Sequence, residues 1–272
     1  MSLSTHLAPD ALPDAARAEL ARAVARLEDV SLAARLAGAI GTPVEALKAR
    51  LPGAVQGMVD SAVRRALSAA MEAALKSEPA RKPAVISSSW FHRGMAAAAG
   101  AAGGAFGLPG TLVELPVSTT LLLRQVAAIA AEQGEDLTNP DTAAECLKVF
   151  ALGGRDSRDD AAESGYFAVR VALAEALKGA VGKGLVGTML PGFLGAIAAR
   201  FGGPVALKIS AQAAPLIGAA AGAAVNIAFL EHFRGIAEGH FTVRRLERAH
   251  GKDPVRAAYE AIQSNRDARF NG

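Results

Sequence analysis

Few residues in this chain are placed to do chemistry, and they are far apart in sequence. Glu114 stands in the apolar run P-G-T-L-V-E-L-P at 109–116. A carboxyl in such surroundings is pushed towards its protonated form and can serve as an acid or a base. Two structural roles compete with that one. Thr111 and Glu114 have the spacing of a capping box at a helix start, and Glu114 could instead pair with a buried arginine such as Arg124. Asn226 lies within a second apolar run, on a helical face with Gly222, Leu230, Phe233 and Ala237. A buried amide needs partners, so it bonds a neighbouring helix or contacts a ligand. Asn226 and Arg124 are the ligand-binding candidates; Glu114, His232 and His240 are the catalytic ones.

The two histidines do not make a metal site. A continuous helix separates positions 232 and 240 by ~12 Å along its axis, too far for one ion unless Gly235 or Gly239 bends it. There is no H-E-x-x-H, no cysteine cluster and no G-x-S-x-G elbow. The glycines of G-A-A-G-G-A-F-G at 100–107 would need a preceding strand to form a dinucleotide loop, and none is predicted. No metal and no cofactor is expected. Arg234, Arg244, Arg245 and Arg248 form a basic segment. It suits lipid headgroups, or else it is a solvated face partly neutralised by Glu231, Glu238 and Glu247.

The elements that must carry these residues are helices. The 272 residues are 51% hydrophobic and only 5% aromatic, with 28 glycines, and the mean hydropathy is +0.25. Alanine favours helix, and glycine lets helices approach closely. The composition predicts an all-α, glycine- and alanine-rich helical bundle with no sheet. A net charge of +3 is too mild, and too interleaved with acids, for nucleic-acid binding. The single cysteine, Cys146, cannot form an internal disulfide and is expected to be a buried thiol. The N-terminal M-S-L-S-T-H-L-A-P-D has neither the basic nor the apolar part of a secretory signal, which predicts a cytoplasmic protein.

Along the chain, helices are expected over 11–30 and from Ser31 to a stop at Gly41. Thr42-Pro43 should start another, and 54–77 reads as a long amphipathic helix with Arg64 and Arg65 facing outward. Prolines 79 and 83 mark 77–89 as a linker between an N-terminal region, 1–80, and a core, 85–265. The residues from Gly94 to Val113 carry no charge and have spanning length, though Ala and Gly insert weakly. Pro109 to Pro116 should interrupt the chain before a helix over 117–132 stopped by Gly134. Asn139-Pro140 starts the next helix, which ends at Gly153-Gly154, and Ser157 or Asp159 caps the one after. That helix runs over 166–180. The uncharged run 184–199 is cut by Pro191, and 200–204 should break it. Residues 209–230 are uncharged, hold Gly218-x-x-x-Gly222, and lead through a histidine-bearing turn to the basic segment. This stretch, 209–250, is the expected organising element. Asp253-Pro254 starts a last helix.

Four stretches in order resemble the EcsC family: 109–124, C-L-K-V-F-A-L-G at 146–153, P-L-I-G-A-A-A-G-A-A-V-N at 215–226, and F-R-G-I-A-E-G-H-F-T-V-R-R-L-E at 233–247. The resemblance covers about 85–262. The family takes its name from a protein encoded beside two components of an ABC transporter, which implies a membrane-transport or secretion context. It supplies no catalytic residues to carry over. The leading expectation is a non-enzymatic, cytoplasmic, membrane-associated accessory factor. Its expected partners are an anionic membrane surface, transporter components or a second copy. The alternatives are a hydrolase or ligand-binding enzyme using Glu114, Asn226, His232 and His240, and a self-associating structural protein.

Overall fold

The structure is a computed structural model, and it describes residues 12–28, 32–41, 61–68, 89–154, 165–181, 186–212 and 219–270. Among these residues there are helices and turns and no strand. The helices are α1 (Asp14–Leu27), α2 (Leu32–Ile40), α3 (61–68), α4 (Ser89–Glu132), α5 (Pro140–Leu152), α6 (Tyr166–Val181), α7 (Val186–Gln212), α8 (Ala219–His250) and α9 (Lys252–Phe270). The helix start at Thr42-Pro43, most of the 54–77 helix, the 77–89 linker, the cap at Ser157 or Asp159, and Gly218 lie outside the described residues. So do the side chains of 99–113.

Local signals set several helix ends where the sequence places them. Asn139 accepts from the Asp141 backbone N–H at 2.9 Å, with Pro140 behind it at the first helical position. Gly41 and Gly134 end α2 and α4 at φ +64 and +78, a region that suits glycine. On α3 the buried Val63 and Leu67 face inward while Arg64 and Arg65 are exposed. Cys146 is buried.

Prolines misled the reading elsewhere. Pro109 and Pro116 do not interrupt the chain, because α4 runs for 44 residues through both. Pro191 and Pro204 likewise sit inside α7, which is continuous over 27 residues. A mid-helix proline removes one backbone bond and costs about 3 kcal/mol, a local penalty that burial of a long apolar face outweighs. There is no histidine-bearing turn either. The chain 209–212 closes α7, and α8 passes without a break through His232 and His240.

The chain divides into two compact units, 30–237 and 1–29 with 238–272. In the larger unit α7 packs against α2, α4, α5 and α6, so the organising helix is Val186–Gln212 rather than the stretch that begins where it ends. Phe150 on α5, Phe201 on α7, and Phe229 and Phe233 on α8 form an aromatic core with centroid separations of 4.9–6.1 Å. Helix α5 ends hard against this core. A Cβ on Gly154 would fall on the Arg200 carbonyl oxygen, which belongs to backbone and cannot swing aside. Gly154→Ala is therefore expected to cost about 1–3 kcal/mol, read as a lower urea midpoint. A wild-type midpoint would mean that α5 and α7 separate freely at this point.

In the smaller unit α1 packs on α9. Leu20, Val24 and Leu27 are buried, as are Val255 and Tyr259. The Tyr259 hydroxyl donates to Glu28 at 2.6 Å, and Arg26 pairs with Glu238 at 3.1 Å. Arg245 pairs with Glu19, and this hydrogen bond holds the Glu19 carboxyl below its usual range. Gly239 meets Leu27 and the Ala23 carbonyl so closely that a side chain there would collide with α1.

Candidate functional site

The interior of the larger unit contains a polar cluster. Glu114 lies mid-helix in α4, 25 residues beyond the start at Ser89, so it is not part of a capping box. Its carboxylate is almost fully buried and receives the Lys208 ammonium from α7 on both oxygens, at 3.1 and 2.9 Å. Asn226 on α8 donates its amide to Glu114 Oε1 at 3.0 Å. Ser118, one turn after Glu114, faces the same ammonium at 3.3 Å and bonds the Leu115 carbonyl at 3.1 Å. The Lys208 nitrogen also lies 5.2 Å from the centre of the Phe229 ring. Burial of the ammonium drives its pKa below the ordinary lysine value of 10.5, and the charge and hydrogen bonds of Glu114 oppose that shift.

Three helices thus meet on one carboxylate. Positions 114 and 118 share one face of α4 because they are one turn apart. Lys208 and Asn226 reach that face from two different helices. Chemically the cluster is an ion pair with its lone pairs and protons largely answered from within: two oxygens to the ammonium, a third bond from the amide, and a hydroxyl.

The candidates from the sequence are distributed as follows. Glu114 and Asn226 are in direct contact. Arg124 is exposed and is not the partner of Glu114; that partner is Lys208. His232 is half-buried, with Nε2 2.8 Å from the Gly153 carbonyl and its ring edge-on to Phe233. His240 is fully buried beside Phe241 and belongs to the smaller unit. Of the basic segment, Arg234 pairs with Glu231 at 3.6 Å, Arg245 pairs with Glu19, and Arg248 is exposed. Among the described residues no group of three or more His, Cys, Asp or Glu could hold a metal ion.

Sequence reasoning missed Lys208 and Ser118. The signal for Lys208 was present: between Arg200 and Glu231 it is the only charge. Ser118 gave none, being one hydroxyl among S-T-T at 118–120.

Fold and cluster together define the class: an all-α protein of small-residue helices tied through a buried ion pair and an amide. The EcsC protein family model matches residues 14–246, and the chain belongs to that family. The match begins at the first residue of α1, so it takes in N-terminal helices in which no motif was legible. No curated protein and no solved structure matches the chain.

Proposed function

We propose that this EcsC family member is a non-enzymatic, membrane-associated accessory factor that works beside a membrane transporter of the ABC type. One observation carries the membrane part. Among the described residues a single helical segment, Gly192–Ala211 of α7, is long and apolar enough to cross a membrane, and only half of it is buried. Its uncovered face holds Gly192, Ala199 and Gly203, with Gly195 and Ala196 partly covered. Arg200 near the middle and the paired Lys208 make a full crossing costly, so contact at the membrane surface is favoured over a span. The spanning candidates read from the sequence, 94–113 and 209–230, do not coincide with this segment. The transporter link rests on the family context alone.

Flotation with vesicles of anionic and of zwitterionic lipid tests the reading. The protein is expected to float with anionic vesicles. Ala199→Glu, which puts a negative charge on the uncovered face, should lower the vesicle partition coefficient by about fivefold, on the basis of ~1 kcal/mol per charge near such a surface. A monomeric protein that stays at the bottom of the gradient with both lipids rejects the proposal.

A second reading, a hydrolase or ligand-binding enzyme, draws on the meeting of Glu114 and Asn226 with a serine and a lysine. It is weaker on its chemistry. A lysine acting as base for Ser118 must be neutral and free, yet the Lys208 ammonium is engaged by both carboxylate oxygens of Glu114.

A further inference from the structure

The helices around the cluster differ in the features that would fix how far one slides along another. On α7 the small residues Gly192, Ala199 and Gly203 are exposed, and the side chains packed inside include Phe193, Leu194, Ile197, Phe201 and Val205. A slip of one turn moves a helix by about 5.4 Å and sets each residue where its fourth neighbour had been. The aromatic core answers this for α5, α7 and α8, because Phe150, Phe201, Phe229 and Phe233 interlock. It includes no residue of α4 among those whose side chains are described. From Glu114 to Glu132 that helix has no aromatic residue, and its buried side chains are mostly aliphatic, Leu115, Leu121, Leu122, Leu123, Val126 and Ile129, with the polar Thr119 and Gln125 among them. Thr119 Oγ1 and Gln125 Oε1 have no hydrogen-bond partner among the described residues, so neither atom ties α4 to a neighbouring helix.

The cluster distinguishes what the apolar residues do not. Glu114 is on α4, Lys208 on α7 and Asn226 on α8. One turn of sliding leaves a carboxylate and an ammonium unpaired in the interior, which is a heavy penalty for every seating but one. Against a well-packed apolar core a buried pair gives little or no net stability, since desolvation offsets its attraction. We infer that Glu114, Lys208 and Asn226 form a register key: the cluster selects one seating of α4 on α7 and α8 and is not a net source of stability. This conclusion is independent of the membrane reading.

The test replaces the key with apolar side chains of similar size, Glu114→Met/Lys208→Met/Asn226→Leu, in the full chain. The amides of Leu115, Leu121, Leu122 and Leu123 in ¹⁵N-leucine-labelled protein report on α4. The expected result is wild-type helical content, a urea midpoint no lower than wild type, and doubled or broadened resonances from those four leucines. One sharp resonance each overturns the proposal, because α4 then has a single seating without the key. If the triple variant does not fold, the same measurements on Glu114→Met/Lys208→Met decide, and failure of both to fold also overturns it, since the cluster would then be required for stability.

Discussion

Lys208→Met is expected to destabilise the protein by about 3–5 kcal/mol, because it removes one charge of a buried pair and leaves the other. Glu114 would keep only the Asn226 amide, at a site where its residue is 7% exposed and water is largely excluded. Glu114→Gln should cost a similar amount for the mirror-image reason, since the ammonium retains only Ser118 at 3.3 Å and the face of Phe229. The double change Glu114→Gln/Lys208→Met removes both charges, so its cost should fall well below the sum of the singles. Urea unfolding of the four proteins gives the coupling directly, and additive costs would refute a paired interior. The pH dependence supplies a separate check. Folded Lys208 releases its proton at a lower pH than the unfolded chain does, so between its lowered value and 10.5 the unfolded state binds more protons. Stability from this group therefore rises with pH through that window and is flat below it. Relative to Lys208→Met, the wild type should gain stability as pH climbs towards 10.5.

The same pair shows what the sequence could and could not disclose. Glu114 is the only charge between Arg93 and Arg124, and Lys208 the only one between Arg200 and Glu231. Two lone and opposite charges in two uncharged runs point to each other, since neither is tolerable alone in a core. Weighing Glu114 against nearby Arg124 favoured a partner close in sequence, whereas the fold supplies one 94 positions away. Asn226 was legible as a buried amide needing a helix partner. The side chain it finds, Glu114, is 112 positions distant and could not be read from its own helix.

The helical class was legible because alanine and glycine leave little choice, and caps such as Asn139-Pro140 act on their own neighbours. Prolines 109, 116, 191 and 204 were misleading for the opposite reason. Their penalty is local and the sequence displays it, while the burial that overrides it belongs to helices not yet in view. Choosing 209–250 as the organising stretch had the same origin. Broken at its prolines, Val186–Gln212 looked too short to organise anything, and unbroken it packs, among the described helices, against α2, α4, α5 and α6 and meets α8 through Phe201.

Phe233→Ala should cost about 3–5 kcal/mol, the range for emptying a large aromatic from a packed interior. Phe233 is fully buried and within 5.8 Å, centre to centre, of Phe150, Phe201 and Phe229. Its ring also occupies the space beside Gly153, where an added Cβ would collide with it. Gly153 has φ −75 and ψ −10, helical values that alanine adopts without strain, and the three atoms nearest an added Cβ all belong to the Phe233 ring, so the ring is the main obstacle to Gly153→Ala. The cost of this change is expected to be about 1–3 kcal/mol in the wild type. In the Phe233→Ala background it should largely vanish, because the new methyl enters the space the ring has left. The double variant should then be at least about 1 kcal/mol more stable than additivity allows, read from urea midpoints and slopes. Equal costs of Gly153→Ala in both backgrounds would show that α5 meets α8 through something other than this ring.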